Sequence, residues 1–520
     1  MSRLSRRDIL KLSAALAGGA ALSSVRPLSH HWARGLAQTT GKPNFIVLVL
    51  DAMSARNLSL LGYTRPTTPA LERFSQGCTV YHNHYAGGNF TSSGTATIFT
   101  GLYPWTHRAL TLGGIVARSL ERKNIFNFLG EDYTRVGFSH NQLVHLLLGQ
   151  FSRDLDVLLD RTSFSIQKNV PTPEDHLVND LALGYYTFAD FLGASEFYLN
   201  PGSLSLGLAD MLSYKKSEIK ATPNYPRGYP YSYHTYFRIE DVLAGLAKTI
   251  KGLAANPSPF FTYFHLLPPH SPYNPKRDFI EPFINDGITF PVKPEHPLAV
   301  LDKAPDKLDR LRMFYDSFVT NVDYEVGRFI HGLEKTGILD SSYLIITSDH
   351  GELFERGDYG HGSPLMYEPV VHVPLIIHAP GQTERRDVHS LTSNTDLLPT
   401  ILSLAGREIP SSTEGRLLPG LGGTEDAERS VFTVYAKENS SFLPLDTSVM
   451  SMRKGEHQLI YYRGYPGYDD RMELYDLEND AEEMQDLSEK DIATAKRMRE
   501  ELLDMASAAD RPYQRRKQGS

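Results

Sequence analysis

Six consecutive apolar residues, Phe45-Ile46-Val47-Leu48-Val49-Leu50, run directly into Asp51. A strand that alternates apolar and polar residues has one wet face. An unbroken apolar run is buried on both faces, the pattern of a central strand in a parallel sheet. Open α/β sheets place ligand sites outside the carboxyl ends of such strands, which puts Asp51 at a site edge. Some forty residues on come Asn89-Phe90-Thr91-Ser92-Ser93-Gly94-Thr95, with hydroxyls at an expected helix start, and then Thr100-Gly101-Leu102-Tyr103-Pro104. A carboxylate at a strand end facing hydroxyls at a helix start is the layout for a metal that activates an alcohol nucleophile. A second apolar strand, Tyr343-Leu344-Ile345-Ile346-Thr347, ends in Ser348-Asp349-His350-Gly351-Glu352. By the same logic Asp51, Thr91, Asp349 and His350 are expected to converge on one divalent cation.

Between these anchors the chain alternates helix and strand, the rhythm of an α/β fold. Thr68 as N-cap and Pro69 at the first helical position predict a helix that Gly77 ends, and residues 78–85 read as a strand leading to the hydroxyl loop. Residues 124–129 and 134–138 repeat the pattern. It lapses over residues 149–238, read as an insertion over the site, where Tyr and Pro cluster near residues 224–233. Those aromatics either stack on a sugar or aryl group or pack on one another. A helix over 240–253 precedes a strand over 260–265 that delivers His270. Leu308, Leu311, Val319, Val322, Val326, Phe329, Ile330 and Leu333 mark a long amphipathic helix, and 373–377 a further buried strand. After a helix that Gly406 ends, short strands and turns predict a small antiparallel subdomain over 407–510 with a final helix over 489–507. A frayed tail is expected at 511–520.

Taken together, Leu50-Asp51, Thr67-Thr68-Pro69-Ala70-Leu71, Thr100-Gly101-Leu102-Tyr103-Pro104, Pro269-His270-Ser271-Pro272-Tyr273, Ser348-Asp349-His350-Gly351-Glu352, Gly360-His361-Gly362 and Val373-Pro374-Leu375-Ile376-Ile377 resemble the sulfatase family of the alkaline phosphatase superfamily, in family order. Leu474-Tyr475-Asp476-Leu477-Glu478-Asn479-Asp480 resembles its C-terminal signature. The resemblance implies a mostly parallel central sheet flanked by helices, with a catalytic domain over 38–406. It also implies departures. The family usually offers two adjacent acids at the first strand, and an acid with an amide at the second. Here Ala52 removes one carboxylate and His350 supplies nitrogen, which favours Mn²⁺ or Zn²⁺ over Ca²⁺.

The nucleophile departs as well. Registering Thr100-Gly101 with the family's Thr-Gly places Thr91 where a sulfatase carries the Cys or Ser that becomes formylglycine, with Ser93 and Thr95 in place of proline and arginine. Thr91 cannot be so converted, and Cys78 lies outside any such motif. Relatives acting on phosphate esters use a threonine alkoxide, so a phosphate ester is favoured. Sulfate hydrolysis without formylglycine and an inactive binder of sulfated or phosphorylated polymers are the alternatives. Ser92 and Ser93 remain alternative attacking groups. His270 resembles the family's leaving-group or oxyanion histidine, His361 stands where many sulfatases carry lysine, and His107 and Asn89 are further candidates for the pocket lining. Pro268-Pro269 beside His270 argues for a single metal.

The first 37 residues read as targeting. Ser5-Arg6-Arg7-Asp8-Ile9-Leu10-Lys11 resembles a bacterial twin-arginine signal, followed by a short Ala/Gly/Leu run and a small-residue site at Gly35-Leu36-Ala37. The run is too short to span a membrane securely. The expected partners are therefore the twin-arginine export machinery and a small-molecule, glycan-linked or lipid-linked anionic ester, with a periplasmic or extracellular location and no stable membrane span after cleavage. The formal charge is −8, falling to about −13 without the leader, which argues against nucleic acid as a partner. With Cys78 as its one cysteine, the chain forms no internal disulfide.

Overall fold

The structure is a computed structural model that describes residues 41–166, 223–232, 235–301 and 303–517. The Asn44–Leu50 strand lies inside an eight-stranded sheet, with Phe260–Leu266 on one side and Ser342–Thr347 on the other, both parallel to it. Thr134–Ser139 and Val157–Leu158 extend the sheet beyond the first neighbour. Leu375–His378, Thr79–Tyr81 and Arg386–Val388 extend it beyond the second. Leu375–His378 runs against its neighbours and the rest share one direction, so the sheet is mostly parallel.

Both faces are covered, as the apolar run requires. Ile46, Leu48 and Leu50 pack toward helices Ile239–Ala254 and Pro305–Glu334. Phe45, Val47 and Val49 pack toward helices Thr91–Thr100, Ile125–Leu129, Gln142–Gln150 and Leu397–Leu404. Each buried side chain of this size contributes about 1.5–3 kcal/mol on leaving water, so the register is strongly held. Val49 stands level with His265 on one neighbour and Thr347 on the other. The chain therefore leaves three adjacent strands at one edge, carrying His265, Asp51 and Asp349 to the same level.

A separate antiparallel sheet, Ser430–Tyr435, Ser448–Lys454, His457–Arg463 and Met472–Asp476, lies toward the C-terminus against helix Ile492–Lys517. That helix runs past the expected end at Ser507, so residues 511–517 are helical where fraying was expected. Arg108 explains this: its Nη2 donates to Asp510 Oδ1 at 2.5 Å, and its guanidinium lies 3.6 Å from the Tyr513 ring centroid.

Two other local expectations change. The 78–85 strand divides into Thr79–Tyr81 and His84–Tyr85, which join different sheets. Helix Pro69–Phe74 is capped not by the Thr68 side chain but by Asp323, which accepts from Ala70 N at 2.7 Å and Leu71 N at 2.9 Å. The leader expected over 1–37 and most of the insertion expected over 149–238 lie outside the described residues. Among the described residues no helix is long and apolar enough to cross a membrane.

Candidate active site

Asp51, Asp349 and His350 meet at the carboxyl edge of the sheet, fully buried, with one ligand atom from each within 4.8 Å of the others. Backbone packing sets the approach. Ala52 takes a left-handed conformation (φ 60°) that turns the chain away directly after Asp51. Gly94 lets helix Thr91–Thr100 close on the second strand end, because a Cβ there would meet Asp349 O at 2.2 Å. Thr91 is the first residue of that helix. Phe90 at the N-cap offers no side-chain acceptor, so the first N–H groups stay open toward the site.

The imidazole of His350 is oriented by its Nδ1–H, which donates to Gly351 O at 2.9 Å. Its Nε2 then faces Thr91 Oγ1 at 3.4 Å, Asp51 Oδ1 at 3.5 Å and Asp349 Oδ2 at 3.6 Å. Asp51 Oδ1 and Asp349 Oδ1 are buried without hydrogen-bond partners. Ligands held ~2.1 Å from one cation stand about 3.4 Å apart in a tetrahedral shell, and a nitrogen with hard oxygens suits Zn²⁺ or Mn²⁺. The residues fit such an ion. Of the neighbouring hydroxyls, Ser93 Oγ donates to Phe90 O at 3.0 Å and Ser92 Oγ accepts from Gly113 N at 3.1 Å.

Electrostatics follow the same convergence. Burial penalises the Asp51 carboxylate, but His270, His265 and His350 outweigh it and hold its pKa well below the usual range. Asp349 is pushed upward by burial and by the negative charge of Asp51, and His350 is pushed down by burial. Burial also works against charge on His270, yet Asp51 and Glu352 raise its pKa above the ordinary value. Its Nδ1 donates to Ser271 O at 2.5 Å, leaving Nε2 for a substrate. Glu352, raised to about 7 by burial, is hydrogen-bonded to His361 Nδ1 at 2.8 Å; with the proton on the carboxyl, the neutral His361 ring, its pKa lowered by burial, carries its own N–H on Nε2. The His361 ring lies 4.1 Å from that of His350 and 4.7 Å from that of His270.

Asn89 ties the hydroxyl loop to the His361 loop: its Nδ2 donates to Ser363 O at 2.9 Å and its carbonyl accepts from Gly362 N at 3.0 Å. His107 is not brought to the cluster. Its Nδ1 accepts from Ala109 N at 3.1 Å and its Nε2 pairs with Thr97 Oγ1 at 3.2 Å, farther along the helix.

Two residues at the site were not singled out in the sequence. Asn141 donates to Asp51 Oδ2 at 2.6 Å and stands 3.5 Å from Thr91 Oγ1, while its Oδ1 caps helix Gln142–Gln150 through Leu143 N. His265 Nε2 lies 3.1 Å from Asp51 Oδ2 and 3.8 Å from Asp349 Oδ2, and the Tyr263 hydroxyl meets its Nδ1 at 3.0 Å. The available signal was position, since His265 lies near the end of the strand beside Asn44–Leu50 and Asn141 just past the end of the next strand out.

A mostly parallel sheet with this carboxylate and imidazole cluster at its edge defines the alkaline-phosphatase-like superfamily of ester hydrolases. Within it the chain belongs to the Sulfatase family, whose profile matches residues 43–407. The profile described as N-sulphoglucosamine sulphohydrolase, C-terminal, matches residues 357–508. An arylsulfatase of Clostridium perfringens is 22% identical, over 86% of this chain and 90% of its own length. An endo-4-O-sulfatase of Bacteroides thetaiotaomicron is 32% identical over 33% of this chain, and the match spans only 34% of that relative. The fold is similar to that of a phosphonate monoester hydrolase of Agrobacterium radiobacter, with TM-score 0.63 at 20% identity over 90% of this chain and 96% of the other.

Proposed function

We propose that the chain hydrolyses an anionic ester by in-line attack of Thr91 Oγ1, with a phosphate ester favoured over a sulfate. The observation that carries this reading is the partnerless Asp51 Oδ1, 3.5 Å from a His350 Nε2 that also faces Asp349 Oδ2 and Thr91 Oγ1. One divalent cation held by Asp51, Asp349 and His350 would lower the hydroxyl's pKa and screen the repulsion between alkoxide and anion. Asn141 orients both Asp51 and the Thr91 hydroxyl. Thr91 Oγ1 gives its proton to solvent and bonds to phosphorus as the phosphorus–ester oxygen bond breaks, and the leaving oxygen takes a proton from His270 Nε2. Water then attacks the phosphothreonine, giving a proton back to His270 Nε2, and the phosphorus–Thr91 bond breaks as Thr91 Oγ1 regains a proton from solvent. The open N–H groups of helix Thr91–Thr100 and the His361 imidazole meet the oxyanion charge.

Threonine supports phosphoryl chemistry because a phosphothreonine is cleaved by a second in-line attack. The relative named arylsulfatase supports sulfate as the second reading. Aryl phosphate, bis-aryl phosphate and aryl sulfate assayed side by side decide between them. Sulfate hydrolysis exceeding both phosphate activities reverses the choice, and a purified chain that binds no divalent metal overturns the enzyme reading in favour of a binder. Export rests on Ser5-Arg6-Arg7-Asp8-Ile9-Leu10-Lys11. Replacing Arg6 and Arg7 by lysine should retain the chain in the cytoplasm of an expressing bacterium.

A further inference from the structure

Among the described residues, no lysine or arginine forms a hydrogen bond or ion pair with Asp51, Asp349 or Glu352; their titratable basic partners are imidazoles. An anionic ester brings more negative charge to this edge, and a charge-assisted hydrogen bond from a permanent cation is the strong way to hold it. The antiparallel sheet carries such a cation to the place. Its edge strand Ser430–Tyr435 is fastened along the loop that leads to Thr91: Thr433 Oγ1 donates to Ala86 O at 2.6 Å, Val434 N donates to Gly87 O at 2.9 Å, and the Tyr435 ring meets Phe90 edge-on at 6.4 Å. On its other side the same loop is tied to the His361 loop through Asn89 and Gly362.

Lys437 follows Tyr435 by two residues and so leaves the fastened strand beside Phe90, on the loop that Asn89 ties to the His361 loop. It is part-buried, at a cost in free energy that lowers its pKa, and it makes no ion pair among the described residues. The adjacent Glu438 is exposed and already accepts from the Tyr435 hydroxyl at 2.7 Å. A cation kept partly out of water and hydrogen-bonded to no acid among the described residues is poised for an external anion.

We propose that Lys437 is a specificity-determining residue of this site, its ammonium contacting the non-bridging oxygens of the bound ester. Selection for a tetrahedral oxyanion then comes from the antiparallel sheet as well as from the strand ends. The inference rests on the anionic-ester reading, and its test does not need turnover. Inorganic phosphate and inorganic sulfate are titrated calorimetrically into the metal-loaded full chain, its Lys437→Gln variant and its Lys437→Arg variant, with metal content and Tm recorded for each. Lys437→Gln should bind the preferred anion about tenfold to a hundredfold more weakly at unchanged metal content and Tm, as expected for one hydrogen bond to a charged group, and Lys437→Arg should recover most of the loss. Equal affinity in wild type and Lys437→Gln, a loss that Lys437→Arg does not recover, or a wild type that binds neither anion overturns the proposal. A chain that binds phosphate through Lys437 yet hydrolyses none of the esters sustains it and overturns the hydrolytic reading instead.

Discussion

The two ends of helix Thr91–Thr100 each carry a carboxylate and a buried imidazole, and they treat them in opposite ways. At the C-terminal end Glu414 accepts from Tyr103 N at 2.6 Å, Thr106 Oγ1 at 2.9 Å and Trp105 Nε1 at 3.2 Å. There His107 takes the Ala109 N–H on Nδ1, so its Nε2–H donates to Thr97 Oγ1, whose own hydroxyl donates to Ser93 O at 3.0 Å. Every proton has a place. At the N-terminal end Asp51 Oδ1, Asp349 Oδ1 and His265 Nε2 are fully buried and lack hydrogen-bond partners. An unpartnered buried polar atom costs about 1–3 kcal/mol, more when charged, so several of them around one point mark a place completed by something other than the protein. Burial and residue type do not separate a structural histidine from a functional one; hydrogen-bond satisfaction does.

Substitutions at the two ends should therefore fail differently. The largest effect is expected at the open end. Thr91→Ala removes the attacking oxygen and should lower kcat at least about a thousandfold, while metal content stays near wild type because the other donors persist. Asp349→Ala should lose metal and activity together. Full activity in Thr91→Ala would break the assignment and hand the attack to Ser92, Ser93 or water.

A smaller effect at the same end sharpens the contrast. His265 approaches both carboxylates without hydrogen-bond alignment to either, and Tyr263 holds its far nitrogen. His265→Phe should weaken metal binding about tenfold to a hundredfold, the scale found for groups that orient ligands, read by competition with a chelating dye. Unchanged metal affinity would make His265 a packing residue and shrink the open end to the Asp51, Asp349 and His350 cluster.

At the closed end the readout should switch from metal to stability. Glu414→Ala strands the donors on Tyr103, Trp105 and Thr106, and should cost about 1–3 kcal/mol in denaturant unfolding with no change in metal affinity. A lower metal affinity in this variant would show that the two ends are coupled through the helix.

How far this contrast could be read in the sequence depended on distance along the chain. Asp51 and Asp349 were legible because each ends an apolar run buried on both faces, and the sheet rule turns that into a place. Asn141 was not, because an asparagine before a helical pattern reads as an N-cap, which it also is. His265 lies within a strand that the sequence revealed, but its place beside Asp51 depends on the pairing of Val49 with His265, a non-local register. The Asp323 cap on helix Pro69–Phe74 is likewise a contact across most of the catalytic region, invisible to any window around Thr68. His107 went the other way. The sequence offered it as a candidate for the pocket lining, and only the side-chain geometry shows both nitrogens already engaged.

The smallest expected effect concerns protons at satisfied histidines. Burial depresses the pKa of His107 to about 3 and of His84 to about 4, from an ordinary 6.5. His84 is held by Thr392 Oγ1 and Asn394 Oδ1, each at 2.9 Å. Because the folded-state values lie below the unfolded one, the unfolded chain takes up protons first as pH falls below 6.5. Stability contributed by the neutral rings is therefore complete above that pH and is lost as pH drops toward 4, by at most about 1.4 kcal/mol per pH unit for each ring. His107→Gln cannot titrate, so subtracting its unfolding free energies from those of wild type at matched pH isolates the share of His107 from that of any bound metal. The difference should shrink steadily from pH 6.5 to pH 4. A difference that stays flat would mean His107 carries its proton in the folded state, which the Ala109 N–H directed at Nδ1 opposes, and the contrast between the two ends of the helix would fail at its closed end.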